Sequence, residues 1–128
     1  MDKAELQALL QRDDFIGGEL ELLEEGYTFR GPIKAIEFAG NLVIFKLFWM
    51  AAKRTETSWL LQEVGDNHPL FALDMVRECR IEGKRVYLDI NYIGEMRLYP
   101  KDDENQLNPN LVEGLNLAQP KPIKNRVL

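Results

Sequence analysis

One cysteine and one histidine in 128 residues leave little material for several kinds of chemistry. Cys79 has no second thiol to pair with, which excludes an internal disulfide and fits a reducing compartment. The lone His68 stands in a loop before Pro69, with no cysteine or carboxylate at a metal-ligand spacing. No apolar run reaches the roughly 18 residues that a membrane-spanning helix needs. The opening stretch, MDKAELQALLQRDD, is acidic and lacks the basic start and small-residue cleavage site of a secretory signal. No glycine-rich loop precedes a helix in the manner of a phosphate cradle. These absences lead us to expect a cytoplasmic protein with no membrane segment, no metal, no cofactor and no enzymatic activity.

The net charge of −5 is uneven. Residues 1–25 carry two basic and eight acidic side chains, a balance of −6, whereas residues 26–60 carry +3. Phosphate contacts dominate nucleic-acid affinity, so the overall balance argues against such a partner, and only a small local patch remains available.

What is present is β-strand pattern. Residues 26–50, GYTFRGPIKAIEFAGNLVIFKLFWM, read as two long strands joined at Ala39-Gly40-Asn41. In the second strand Val43, Phe45, Leu47 and Trp49 share one face. Leu42, Ile44, Phe48 and Met50 share the other, broken only by Lys46, so cover on both faces is expected. Pro32 in the first strand implies an edge or a bulge, because proline has no N–H for a ladder.

Before this hairpin, residues 2–11 read as a short helix. Asp2 and Glu5 are spaced as a capping box, and Leu6, Leu9 and Leu10 form an apolar stripe. Residues 19–23 alternate as a half-exposed strand. Residues 58–64 fit a short helix or a strand equally. Residues 70–81 read as one strand with Phe71, Leu73, Met75, Cys79 and Ile81 on a face. After the turn Glu82-Gly83-Lys84, Val86, Leu88, Ile90 and Tyr92 alternate in the next. A domain over residues 1–100 is expected, followed by a polar tail, 101–128, that is disordered in part or docks on a surface.

This order of elements suggests a small SH3-like barrel, and two stretches resemble the Sm-like family, whose members form RNA-binding rings. The first motif is matched by Gly26, Phe29, Gly31, Ile33, Ile36, Glu37 and Asn41, followed by Leu42-Val43-Ile44. The second is matched by Ile81, Glu82, Gly83, Val86, Leu88 and Ile90. The resemblance implies an all-β fold, a strongly bent five-stranded antiparallel barrel with an N-terminal helix. It also implies a homo-oligomeric ring joined through strand edges at 70–81 and 85–92, with Leu73, Met75, Val86 and Leu88 on those edges.

RNA binding is the function that the resemblance carries. Two family positions depart, because Glu82 replaces the base-stacking arginine and Ala39 replaces its aromatic or histidine partner. Asn41, with Lys84 and Arg85 beside the missing arginine, are the remaining candidate RNA contacts. The competing expectation is a protein-interaction module that binds no nucleic acid. The remaining candidates are bland: Cys79 as a buried thiol, Asp102-Asp103-Glu104 as a solvated linker without calcium-loop spacing, and Trp49 as a core anchor rather than half of a stacking platform with Trp59.

Overall fold

The computed structural model describes residues 1–53, 58–63 and 69–115. Helix α1 spans Lys3–Leu10. The Asp2 carboxylate accepts the Glu5 N–H at 2.8 Å, and the Glu5 carboxylate accepts the Asp2 N–H at 3.1 Å. This closes the expected capping box. Leu6 and Leu10 are buried, with Phe15 of the following 3₁₀ turn beneath them. An eight-residue helix is marginal alone, and this docking is what holds it.

All ten strands of the described residues belong to one connected sheet. They are β1 (Glu19–Glu24), β2 (Tyr27–Ala39), β3 (Leu42–Leu47), β4 (Met50–Lys53), β5 (Trp59–Gln62), β6 (Leu70–Ala72), β7 (Val76–Glu82), β8 (Arg85–Ile90), β9 (Gly94–Tyr99) and β10 (Val112–Glu113). The main path runs β10-β5-β4-β2-β1-β9-β8-β7, and β3 joins β2 to β6. The chain is therefore mostly β with one N-terminal helix, as expected, while the strand count exceeds five.

β2 bends because it serves two partners. Thr28–Arg30 pair with β4, and beyond the bend β2 pairs with β3. The hand-over falls at Gly31-Pro32. A Cβ on Gly31 would lie 2.2 Å from the Trp49 carbonyl oxygen, so only glycine admits this approach. Pro32 offers no N–H, and its carbonyl accepts the Phe48 N–H at 3.0 Å. A register shift follows between Ile33 and Ala35, the bulge that proline forecast.

Most inward faces are those read from alternation, but Tyr92, read with Val86, Leu88 and Ile90, falls beyond the end of β8 and is fully exposed. Leu20, Leu22, Ile33, Val43, Phe45, Leu47, Val86, Leu88, Ile90, Met96 and Leu98 form one core with Phe71, Leu73 and the helix. Cover on both faces of β3 is not found. Leu42 and Phe48 face outward, and Phe48 is 62% exposed. Ile81, expected inside, is 47% exposed at the sheet margin.

One further reading changes, and one that was open between helix and strand resolves as strand. The run from residue 70 is interrupted, since a 3₁₀ turn at Leu73–Met75 separates β6 from β7. Residues 59–62 form a strand antiparallel to β4, and β6 is antiparallel to β3. β3 and β4 both run antiparallel to β2, so β5 and β6 share one direction. The sheet is not closed by hydrogen bonds, because among the described residues no ladder joins β6 to β7. Within the expected tail, residues 101–115 lie against the sheet, with Val112 buried and β10 parallel to β5.

Candidate functional site

The candidate RNA residues are held apart. The Asn41 side-chain amide donates to Asp74 at 3.0 Å, and Asp74 pairs with Lys3 at the start of α1. Lys84 lies near the other end of that helix, where its carbonyl accepts from Arg12 at 2.8 Å. An eight-residue helix rises about 12 Å, so the two candidates are anchored at opposite ends of it. Arg85 is already committed. It grips Asp103 through Nε at 2.6 Å and Nη2 at 2.9 Å, and its guanidinium sits 5.2 Å from the Tyr99 ring centre. Ala39 ends β2 and Glu82 ends β7, two strands with no shared ladder.

The expected oligomer edges are distributed differently. β8 pairs with β7 on one side and β9 on the other, so it is interior, and Val86 and Leu88 are wholly buried. Leu73 is buried within the 3₁₀ turn, and Met75 packs against the core beside it. Within residues 70–92 the strands with a single partner among the described residues are β6, three residues long and paired with β3, and the longer β7, paired with β8.

Other candidates fall into place briefly. Cys79 is half-buried on β7, and burial pushes its thiol pKa up, which disfavours the thiolate. Asp102 and Glu104 are solvent-side, but Asp103 is the partner of Arg85 rather than a free linker acid. The Lys53 ammonium lies 5.7 Å from the Trp59 ring, so half of the aromatic and basic platform exists. His68 and Arg54 lie outside the described residues.

A polar network missed by the sequence reading covers the outer face of β1, β2 and β9. Cross-strand register sets Arg30 beside Glu21, Glu21 beside Arg97, and Arg97 beside Tyr87. Glu19, on the same face as Glu21, accepts from Arg30 Nη2 at 2.8 Å and from the Leu107 N–H at 2.9 Å. Arg30 Nη2 also donates to the Asn105 carbonyl at 2.7 Å. Residues 101–107 thus close over the pair, leaving Glu19 3% and Arg30 9% exposed. Burial raises the Glu19 pKa, against the lowering pull of Arg30. The Tyr99 hydroxyl donates to Glu21 at 2.7 Å, and burial with that hydrogen bond pushes its pKa up to about 12.

This network has the composition of an acid–base site and the wiring of a structural latch. Both Glu19 partners are fixed donors, Tyr99 is held protonated, and among the buried side-chain polar atoms of the described residues only Arg30 Nε lacks a hydrogen bond, 4.0 Å from Glu21. Pockets of about 110 Å³ (between the start of α1 and β7) and 130 Å³ (over β7, β8 and β9) are open and shallow. Among the described residues, no three His, Cys, Asp or Glu side chains are placed to hold a metal, and no helix is long and apolar enough to cross a membrane. Comparison of the chain with protein-family models, with curated proteins and with solved structures finds no match.

Proposed function

We propose that this chain is a non-enzymatic assembly module of the small SH3-like barrel class, and that it engages protein through the outer edge of β7. The barrel part of this reading rests on residues 70–82. They leave the β3 ladder as β6 and, after a single 3₁₀ turn, enter the β8 ladder as β7, so the chain itself bridges the gap in the sheet. The assembly part rests on one observation. β7 is seven residues long and carries a strand on one side only, and unpaired strand backbone is a template for another chain.

RNA, the partner implied by the Sm-like resemblance, is the second reading, favoured by the Lys53–Trp59 contact as a stacking surface with positive charge. The internal ties of Asn41 and Arg85, with the net charge of −5, weigh against it.

The test is light scattering on the full chain and on Ile81→Pro, from about 10 µM to 1 mM. The turn Gly83-Lys84 has two residues, with Gly83 at φ +62, so Glu82 and Arg85 form its hydrogen-bonded pair. Alternation then directs the N–H of Arg80 towards β8 and that of Ile81 outward, where proline removes only the free donor. Association lost in Ile81→Pro supports the reading. A monomer throughout, or association indifferent to the proline, overturns it. Oligouridine binding that falls steeply with salt would favour the second reading instead.

A further inference from the structure

Resting on that assembly reading, we propose that the strand received by β7 is β7 of a second copy, antiparallel, with Cys79 opposite Cys79 on a two-fold axis.

Edge strands are commonly guarded by charge, and a guard of one sign repels every copy of itself. The guard on β7 is of mixed sign: Arg77, Glu78, Arg80 and Glu82 are all exposed. The order decides the register. In an antiparallel pair centred on Cys79, Glu78 stands opposite Arg80 of the second copy, and Arg80 opposite its Glu78. Both pairs lie on the same sheet face. Moving the centre to Glu78 sets that carboxylate against itself. Moving it to Arg80 sets two guanidinium groups together and Glu78 against Glu82. Directly opposed like charges destabilise a ladder, so of these three centres only Cys79 is complementary; a centre at Ile81 also opposes Arg80 to Glu82 but runs past the end of β7 into the Gly83-Lys84 turn.

The surroundings of Glu78 give an independent reason. Within its own sheet, Glu78 pairs in register with Asp89, and Asp89 pairs with Glu95. Three carboxylates thus form one row across β7, β8 and β9. Asp89 lies 3.8 Å from Arg77, and Glu95 is held by Arg97, but Glu78 has no ion-pair partner among the described residues. The ladder side of Glu78 away from Asp89 is the open edge, where Arg80 of the second copy arrives and shares its contact with Glu82 of its own strand, 2.9 Å away, with Glu78.

The backbone is set for the same register. By the alternation fixed at the Gly83-Lys84 turn, the N–H and C=O groups of Cys79 and Ile81 point outward. Cys79 opposite Cys79 then becomes a hydrogen-bonded pair, flanked on both sides by Glu78 opposite Arg80. The register shift between Val76 and Glu78 bounds this pairing at its far end. A two-fold contact of one edge with itself closes, so the product is a dimer rather than a ring. An interface of this length falls below the roughly 1,200 Å² of stable complexes, and association in the high micromolar range is expected.

Sedimentation equilibrium tests the register with four full-length proteins: wild type, Glu78→Arg, Arg80→Glu, and the double swap Glu78→Arg/Arg80→Glu. Far-UV circular dichroism checks that each is folded. The wild type is expected to dimerise. Each single reversal opposes like charges twice across the axis and weakens dimerisation by about tenfold or more. The double swap restores opposite charges and returns the affinity to within about threefold of wild type. A double swap no tighter than either single variant overturns the register. If Ile81→Pro still abolishes association in that case, the edge reading stands and only the self-pairing falls. A wild type that stays monomeric to about 1 mM overturns both.

Discussion

The Arg30 guanidinium reaches from β2 to the Glu19 carboxylate on β1 at 2.8 Å, and the two form an ion pair almost wholly withdrawn from water. Their strands are neighbours, but the cover comes from residues 101–107, more than 70 positions beyond Arg30. The pair is therefore a clasp between the start of the sheet and the segment that follows its last long strand.

Breaking one half of such a pair costs more than removing both. Arg30→Met leaves the Glu19 charge buried beside the Leu107 N–H alone and is expected to lower the unfolding free energy by about 3–5 kcal/mol. Adding Glu19→Leu removes the orphaned charge and recovers a large part of that loss. Urea unfolding of both single variants and the double variant checks this. Single-variant costs that simply add would show that the two groups are not coupled.

The dependence on pH has two limbs of opposite sign. Glu19 has a raised pKa, chiefly through burial, so the native state holds its proton more tightly than the unfolded chain does. Stability falls as pH rises from about 4.5 through its folded value. Asp14 and Asp103 have lowered values, held down first by their hydrogen bonds from Arg12 and Arg85. Their contribution is present above the ordinary aspartate range and is lost as pH falls through the folded values. Thermal unfolding between about pH 2 and 8 is expected to show Glu19→Gln flattening the upper limb. Asp103→Asn should make the acid limb shallower. A Glu19→Gln curve parallel to wild type above about pH 4.5 would contradict the assignment.

Gly31 tests the bend of β2. Alanine there would set a Cβ 2.2 Å from the Trp49 carbonyl, a contact with backbone rather than with a movable side chain. We expect a cost of about 1–3 kcal/mol, seen as a lower urea midpoint with an unchanged slope. Gly83→Ala, strained at φ +62 but open in space, should cost less and leave the β2 bend intact.

Local chemistry was readable in the sequence where it acts over a few residues. The Asp2–Glu5 box, the inward faces of β3 and β8, and the disturbance at Pro32 all follow from spacing alone. The 3₁₀ turn at Leu73–Met75 did not show, because Phe71 and Leu73 still point inward across the interruption and preserve the strand pattern. Glu19 and Glu21, alternating with Leu20 and Leu22, read as solvent-facing. Their burial depends on residues 97–107, and no local pattern reports such a distant cover. Which of two alternating strands forms the edge was equally hidden. β7 and β8 look alike in isolation, and only the ladder of β9 against β1 places β8 inside.

The position of β1 has a consequence for how the chain is made. This first strand lies between β2, which follows at once, and β9, in which Leu98 pairs with Leu20. At about 5–20 residues per second, a ribosome needs roughly 4–15 s to supply that second neighbour. Throughout that interval the hairpin of β1 and β2 is a half-built sheet with a bare flank, and the Arg30–Glu19 pair stays wet until Leu107 has been added. A nascent chain arrested before Tyr99 should thus be a client for chaperones that hold exposed strands, and release from that hold should come only when the last long strand slots in beside the first.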